Sequence, residues 1–452
     1  MATSAHQCVT VARQLAVIPR SDRRTPVRHP KVKIAFALLS ITLLTASCGR
    51  SSDSGGGNAA TSQGANATAP TKATLTVWAM GTDGENLPKL LKQFEAENPG
   101  YTVNVTSVPW QDASEKFRTA EAGGVTPDIA QVGTTLMGGI TDGFEPVPTD
   151  IDTNAFFQGP LKSAQVKGAT LGVPWAVDTR LLFYRTDLAK KAGFNGPPKT
   201  WADLTKLAKG MQTAGGAKWG IQMATTPDQD LQNSFIFPWS DGAQIINKDG
   251  SKWTYDTPQM IAGYRYYQSF YKDKIADPNP SAGAGAAESA FVSGQLGILL
   301  AGAGESQLLN QAGGPGFQNK YAVATVPKEE SATSFAGGSD LVVFKRSKNS
   351  AAAWKLIQWL SKPDVQAEWY KIDGALPAVQ SAWQLPGLAD DKELQVFNDQ
   401  LKDTDAPPPN STWLQVADEV GQQLDQMVKA GKDPAAAMKA AQSAADSIGT
   451  GS

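Results

Sequence analysis

Residues 74–105 read TLTVWAMGTDGENLPKLLKQFEAENPGYTVNV, and three periodicities follow one another along them. Leu75-Thr76-Val77-Trp78 reads as a strand. Leu87, Leu90, Leu91 and Phe94 then recur at helical spacing, and Asn98-Pro99-Gly100 stops the helix. Tyr101, Val103 and Val105 alternate as a second strand. A strand, a helix and a strand in so short a stretch predict a βαβ unit and a mostly parallel sheet.

The alternation continues outward. Residues 111–122 are expected to be helical, and Asp128 to Val132 a third strand. Thr200-Trp201-Ala202-Asp203 is a capping-box-like start, with Trp201, Leu204, Leu207, Ala208 and Met211 on one apolar face. Thr257 and Pro258 suit the N-cap and first turn of a helix reaching about Lys274. Leu296 to Leu300 and Leu341 to Phe344 read as buried strands, and Ser350 to Leu360 and Pro363 to Lys371 as helices. From Trp413 the chain is expected to be helical with a break near Gly431. No internal repeat is found.

The chain has 452 residues, too many for one compact core. Seven of its 41 Lys and Arg residues and one of its 43 Asp and Glu residues precede Cys48, leaving a body of net charge −8. An acidic body argues against a nucleic-acid partner. Both histidines, His6 and His29, and Cys8 also precede Cys48, so the body beyond it has neither histidine nor cysteine. Ser-His-Asp and Cys-His catalysis, the usual zinc sites and disulfides are thereby excluded from it. No metal and no cofactor is expected.

Residues 31–48 read KVKIAFALLSITLLTASC. Arg28, Lys31 and Lys33 form a positive flank, and the apolar run Ile34 to Leu44 is signal-peptide length and too short to span a bilayer. Small residues lead directly to Cys48, as in a bacterial lipobox whose cysteine is diacylated. Residues 1–47 are therefore expected to be a signal peptide, with a natural start at Val27 or Val32; an ordinary secretory signal with a chance cysteine is the other reading. Residues 48–72 form the lipidated cysteine and a tether rich in Gly, Ser, Ala and Thr, with a reach of about 27 Å.

Gly302-Ala303-Gly304 mimics a dinucleotide-binding turn but lacks the third glycine, and a strand-to-helix turn is the simpler reading. Aromatic residues are the richest signal. Trp201, Trp354, Trp359 and Trp369 fall within predicted helices and read as core. Trp110, Trp175, Trp239 and Trp413 stand beside Pro, Gly, Asp or Asn in predicted loops or element starts. A ring so placed can cover the C–H face of a pyranose while amides and carboxylates bond its hydroxyls; packing within the loop is the alternative.

At these residues the chain resembles the extracellular sugar-binding lipoproteins of ABC importers, the group that includes maltose-binding protein. The resemblance covers roughly residues 73–447. It is carried by the stretch at 74–105, then by GGVTPDIAQVG, GVPWAVDTRLLFYRTDLAKKAG, PPKTWADL, AFVSGQLGILLAG, FAGGSDLVVFKRSKN and PNSTWLQVADEV, in the family's order.

The resemblance implies an α/β fold of two lobes, each a mostly parallel sheet flanked by helices, with a ligand cleft between them. Lobe 1 would comprise residues 73–180 and 338–375, and lobe 2 residues 181–337 and 376–452. The lobes would close over the ligand by hinge motion. The protein would perform no chemistry. As a monomer held on the outer face of the cell membrane by lipid alone, it would deliver a di- or oligosaccharide to the permease and its ATPase. An α-glucoside such as maltose or trehalose is favoured.

Carried over residue by residue, the resemblance implies ligand contacts from Thr82, Asp83 and Glu85 after the first strand, and from Thr134 after the third. Trp110 joins them as a loop tryptophan. Asp178 and Arg180 fall on the crossing segment, as ligand contacts or as a hinge ion pair. Trp239, Ser339, Asp340 and Trp413 complete the set, with Trp413 at a stacking position. Gly304, followed by Glu305, stands where maltose-binding protein has a tryptophan, so one platform is missing. Two other classes compete. One is a secreted glycoside hydrolase using two carboxylates. The other is the same fold binding a polyamine, a phosphate ester or a metal chelate.

Overall fold

A computed structural model describes residues 69–451 apart from 167, 225 and 226. Cys48, the leader and nearly all of the tether lie outside the described residues. In chain order the strands are β1 (Ala73–Met80), β2 (Tyr101–Val108), β3 (Ile129–Gly133), β4 (Gln165–Val166), β5 (Ala169–Thr170), β6 (Val173–Thr179) and β7 (Leu181–Arg185). They continue with β8 (Trp219–Gln222), β9 (Leu296–Ala301), β10 (Tyr321–Ala324), β11 (Ser334–Val343), β12 (Leu376–Pro377) and β13 (Thr404–Asp405).

Two sheets organise the chain. The larger runs β12-β6-β11-β3-β1-β2, with β13 paired to β11, and the smaller runs β10-β7-β9-β8. β4 and β5 form a separate hairpin. Parallel pairing, as the strand–helix alternation predicts, joins β1 to β2 and β3, and β8 to β9. β11 pairs antiparallel with β3 and β6, and β7 with β9 and β10. Only Arg180 separates β6 from β7, so the chain enters the smaller sheet straight from the larger one.

The helices form where the sequence supplies a face and a cap. Gly81–Glu97 buries Leu87, Leu90, Leu91 and Phe94 against the larger sheet's core. Thr200 closes a reciprocal capping box with Asp203 at the start of Trp201–Thr213. The Thr257 hydroxyl accepts from the Met260 N–H, with Pro258 in the first turn of Pro258–Lys272. Trp175 stacks on Trp369 at 5.0 Å between ring centroids in the first core, which also holds Trp354 and Trp359. At Gly431 a left-handed backbone ends Trp413–Ala430 and starts the turn to Pro434–Ile448. Both helices share the second core with Pro258–Lys272.

Trp413 belongs to that second core. Its ring lies 6.0 Å from Phe235 and 6.2 Å from Trp253, and it is 4% exposed. Trp413→Ala should therefore cost about 3–5 kcal/mol of stability, read as a fall in the urea unfolding midpoint. An unchanged midpoint would show that the ring does not hold this core together.

Candidate functional site

In open α/β sheets ligands gather beyond the carboxyl ends of the strands. Here β1 ends at Met80, β3 at Gly133 and β6 at Thr179. Register brings these ends together, since Ser339 of β11 pairs with Gly133 on one side and Ala176 on the other, and Gly337 pairs with Asp178. Thr82, Asp83, Glu85, Thr134, Asp178 and Ser339 thus cluster at one end of the larger sheet. Thr82 and Glu85 are exposed near the start of their helix. Thr134 is buried, its N–H donating to the Gly338 carbonyl at 3.1 Å.

Trp110 covers this end. A Cβ built on Gly81 would lie 3.1 Å from the Trp110 ring, and one on Gly133 would lie 3.0 Å from it. The indole rests on two glycines that leave it room, and 45% of the residue is exposed. An indole seated against two glycines and partly open to water can serve as an aromatic platform.

Beneath it, the Asp83 carboxylate accepts from Gln131 Nε2 at 2.6 Å. The same amide nitrogen donates to Ser339 Oγ at 2.8 Å. Asp83 also faces the Asp373 carboxyl, which accepts from Asn86 Nδ2 at 2.7 Å. Burial pushes the Asp83 carboxyl up to about 6, and Asp373 beside it adds to the rise against the Gln131 bond.

Asp178 and Arg180 form an ion pair at the passage between the sheets. The other Asp178 oxygen accepts from the Ala303 N–H at 3.2 Å. Arg180 also donates from Nε to Asn233 at 2.8 Å and from Nη2 to Gln232 at 3.1 Å. Gly302 has no room for a Cβ, which would meet Asp178 Oδ1 at 2.6 Å. Beyond it Glu305 opens the helix Glu305–Gly313 and is 6% exposed, its Oε1 without a hydrogen-bond partner. Burial, then the neighbouring Glu288, push its carboxyl up to about 7.

The remaining expected residues lie elsewhere. Trp239 is 3% exposed, stacked on Phe235 at 5.3 Å and on Phe335 at 6.3 Å, and the Arg180 guanidinium lies over that Phe335 ring. Asp340 is fully buried and bonded by Ser163 Oγ at 3.0 Å, away from Ser339's partners. Trp413 is in the second core. A groove of about 1060 Å³, lined among others by Ile140, Asp142, Lys162, Asn247 and Asn410, includes only Trp239 of the expected set. It does not lie at the strand ends that carry Asp83 and Trp110.

Several residues of the site escape a sequence reading. Gln131 is the one polar side chain in the buried run Ile129 to Val132, which is a legible signal. Asp373, Asn86, Gln232 and Asn233 sit on helices among many polar residues and carry none. The arrangement offers an aromatic face, amides, carboxyls of which burial pushes Asp83 and Glu305 up, and a guanidinium already occupied. Such groups bind hydroxyls.

Residues 89–396 match the family described as bacterial extracellular solute-binding protein. The structure of the sugar-binding protein MalE from Xanthomonas citri superposes with a TM-score of 0.78 at 30% identity, over 83% of this chain and 97% of that one. A binding protein of Brucella abortus is 27% identical over 373 residues, 81% of this chain and 90% of the relative. The galactooligosaccharide-binding protein of Bacillus subtilis is 25% identical over 352 residues, 74% of this chain and 80% of the relative. These relatives are binding proteins and not enzymes.

Asp340 generates a test of its own. Burial raises its carboxyl from 3.8 to about 7. Its folded form therefore holds a proton that the unfolded chain releases, so stability is fully present below pH 4 and is lost as pH rises through about 7. Asp340→Asn removes that titration. The unfolding midpoint of the variant relative to the wild type should rise from pH 4 to pH 7 and then level off. A gap that stays constant over this range would contradict a buried, proton-holding Asp340.

Proposed function

Since the chain belongs to the bacterial extracellular solute-binding protein family, we propose that it captures a di- or oligosaccharide for an ABC importer and delivers it to the permease. It is a solute-binding protein and not an enzyme. The Trp110 platform at the strand ends carries the sugar reading: an exposed indole beside Asp83 and Ser339 suits the alternating C–H and hydroxyl surfaces of a pyranose. Arg180 supports an uncharged ligand. Its guanidinium is shared among Asp178, Asn233 and Gln232, which leaves little for a phosphate ester. The two lobes are taken as built on the two sheets, with hinge closure about the segments that join them. An α-glucoside such as maltose or trehalose leads the candidates. Galactooligosaccharides follow, as the class in the Bacillus subtilis relative's name.

Cys48 is read as the diacylated N-terminus of the mature chain, tethering a monomer outside the membrane. Cys48→Ser should move the protein to the soluble secreted fraction. Equal membrane retention of both forms would remove the anchor.

A thermal-shift screen tests the ligand. Maltose, trehalose, galactooligosaccharides and glycerol phosphate bind only the folded state if they bind at all, so a true ligand raises Tm. One of the neutral sugars should do so and the phosphate ester should not. Trp110→Ala should weaken that sugar by about ten- to a hundredfold, the ring contact alone being worth roughly 0.5–1.5 kcal/mol beyond area burial, with Tm little changed. A Tm rise with glycerol phosphate alone would overturn the sugar reading.

A further inference from the structure

Gln131 is fully buried in the middle of the larger sheet and spends its carboxamide on three different elements. Its Oε1 accepts from the Met80 N–H, the last residue of β1, at 2.7 Å. A backbone N–H can meet only the carbonyl end of the amide, so the orientation of the group is fixed. Its Nε2 must then point the other way, where it donates to Asp83 and to Ser339. An amide in a sheet core is costly unless its oxygen and nitrogen are both bonded, and here both are.

The consequence falls on Asp83. Gln131 holds one carboxylate oxygen, Oδ2, from beneath. Ser339, the other acceptor of the same nitrogen, precedes the register shift of β11, the strand that pairs with both β3 and β6. We infer that Gln131 is the positioning residue of the ligand site, fixing the Asp83 carboxyl at the sheet end and tying it to β11. The inference rests on reading this sheet end as the ligand site. Gln131 itself touches no ligand; it acts through Asp83.

The groups that bear on Asp83 are few. Helix Pro363–Asp373 brings Asp373, while β3 and β11 bring uncharged Gln131 and Ser339. Its own helix carries Glu85 and Lys89, both exposed, with Lys89 bonded to Asn86 at 2.7 Å. The Gln131 bond favours the ionised carboxyl, so losing it must raise the Asp83 midpoint further.

Two variants and two readouts test this. Gln131→Met keeps the side-chain volume and removes both donors without placing a charge beside Asp83; Asp83→Asn removes the carboxyl that they hold. In ligand-free protein, ¹³C NMR titration of aspartate carboxyls, with Asp83 assigned through Asp83→Asn, should show the Asp83 midpoint higher in Gln131→Met than in the wild type. Maltose titration should show affinity down by roughly ten- to a hundredfold in Gln131→Met, and no further loss on adding that change to Asp83→Asn. A fall in Tm with the Asp83 midpoint and the maltose Kd both unmoved would overturn the proposal and leave Gln131 a structural amide. If maltose fails to bind the wild type, the α-glucoside reading fails, and the ligand-free titration still decides the role of Gln131.

Discussion

The fold turns on one buried cation. Arg180 is 6% exposed and is the single residue between β6 of the larger sheet and β7 of the smaller. A guanidinium in such a place is tolerable only if its donors are met, because an unpaired buried charge costs several kcal/mol. Asp178, Asn233 and Gln232 each accept from one of its three nitrogens, and its own carbonyl accepts from Ser334 Oγ at 2.8 Å. Asn233 in turn donates to the carbonyls of Met223 and Leu300, beside β8 and in β9. The point where the chain changes sheet is therefore also the point where the smaller sheet, the short helix Pro227–Ser234 and the start of β11 are fastened to one another.

Around that centre, neighbouring residues have opposite surroundings. Ser339 and Asp340 are adjacent, yet one meets Gln131 in front of the sheet and the other meets Ser163 behind it. Alternation along a strand imposes this. The register shift between the two, and Gly338 just before them at φ 112°, let β11 pass close to β6: a Cβ on Gly338 would meet the Ala176 carbonyl at 2.1 Å. Only glycine accepts both that backbone and that contact.

Much of the frame is legible in the sequence because its signals are local. The helix from Leu87 to Phe94, the Thr200–Asp203 box and the Thr257–Pro258 start each depend on spacing within one turn or two. The antiparallel strands are less legible, since nothing within β6 or β11 records which sheet each joins or in which direction. At the site, Asp83, Asp178 and Arg180 are named by the family resemblance, and Trp110 by being a tryptophan in a loop. Whether a tryptophan at an element boundary faces water or core depends on distant partners. Trp110 and Trp413 look alike as letters; one meets Gly81 and Gly133, the other Phe235 and Trp253. Gln232 and Asn233 become meaningful only once Arg180 is seen between them and Asp178.

Of the twelve tryptophans, Trp110 alone is exposed; Trp78 and Trp219 are half-buried and the other nine are buried. Indole emission shifts with the polarity of what surrounds the ring. Light from the buried rings is set by packing and is blind to solvent. The part that responds to water comes chiefly from the one indole seated on two glycines at the strand ends. The protein thus carries its own optical reporter in that indole, and any water displaced from it would show in the colour of its fluorescence without a label.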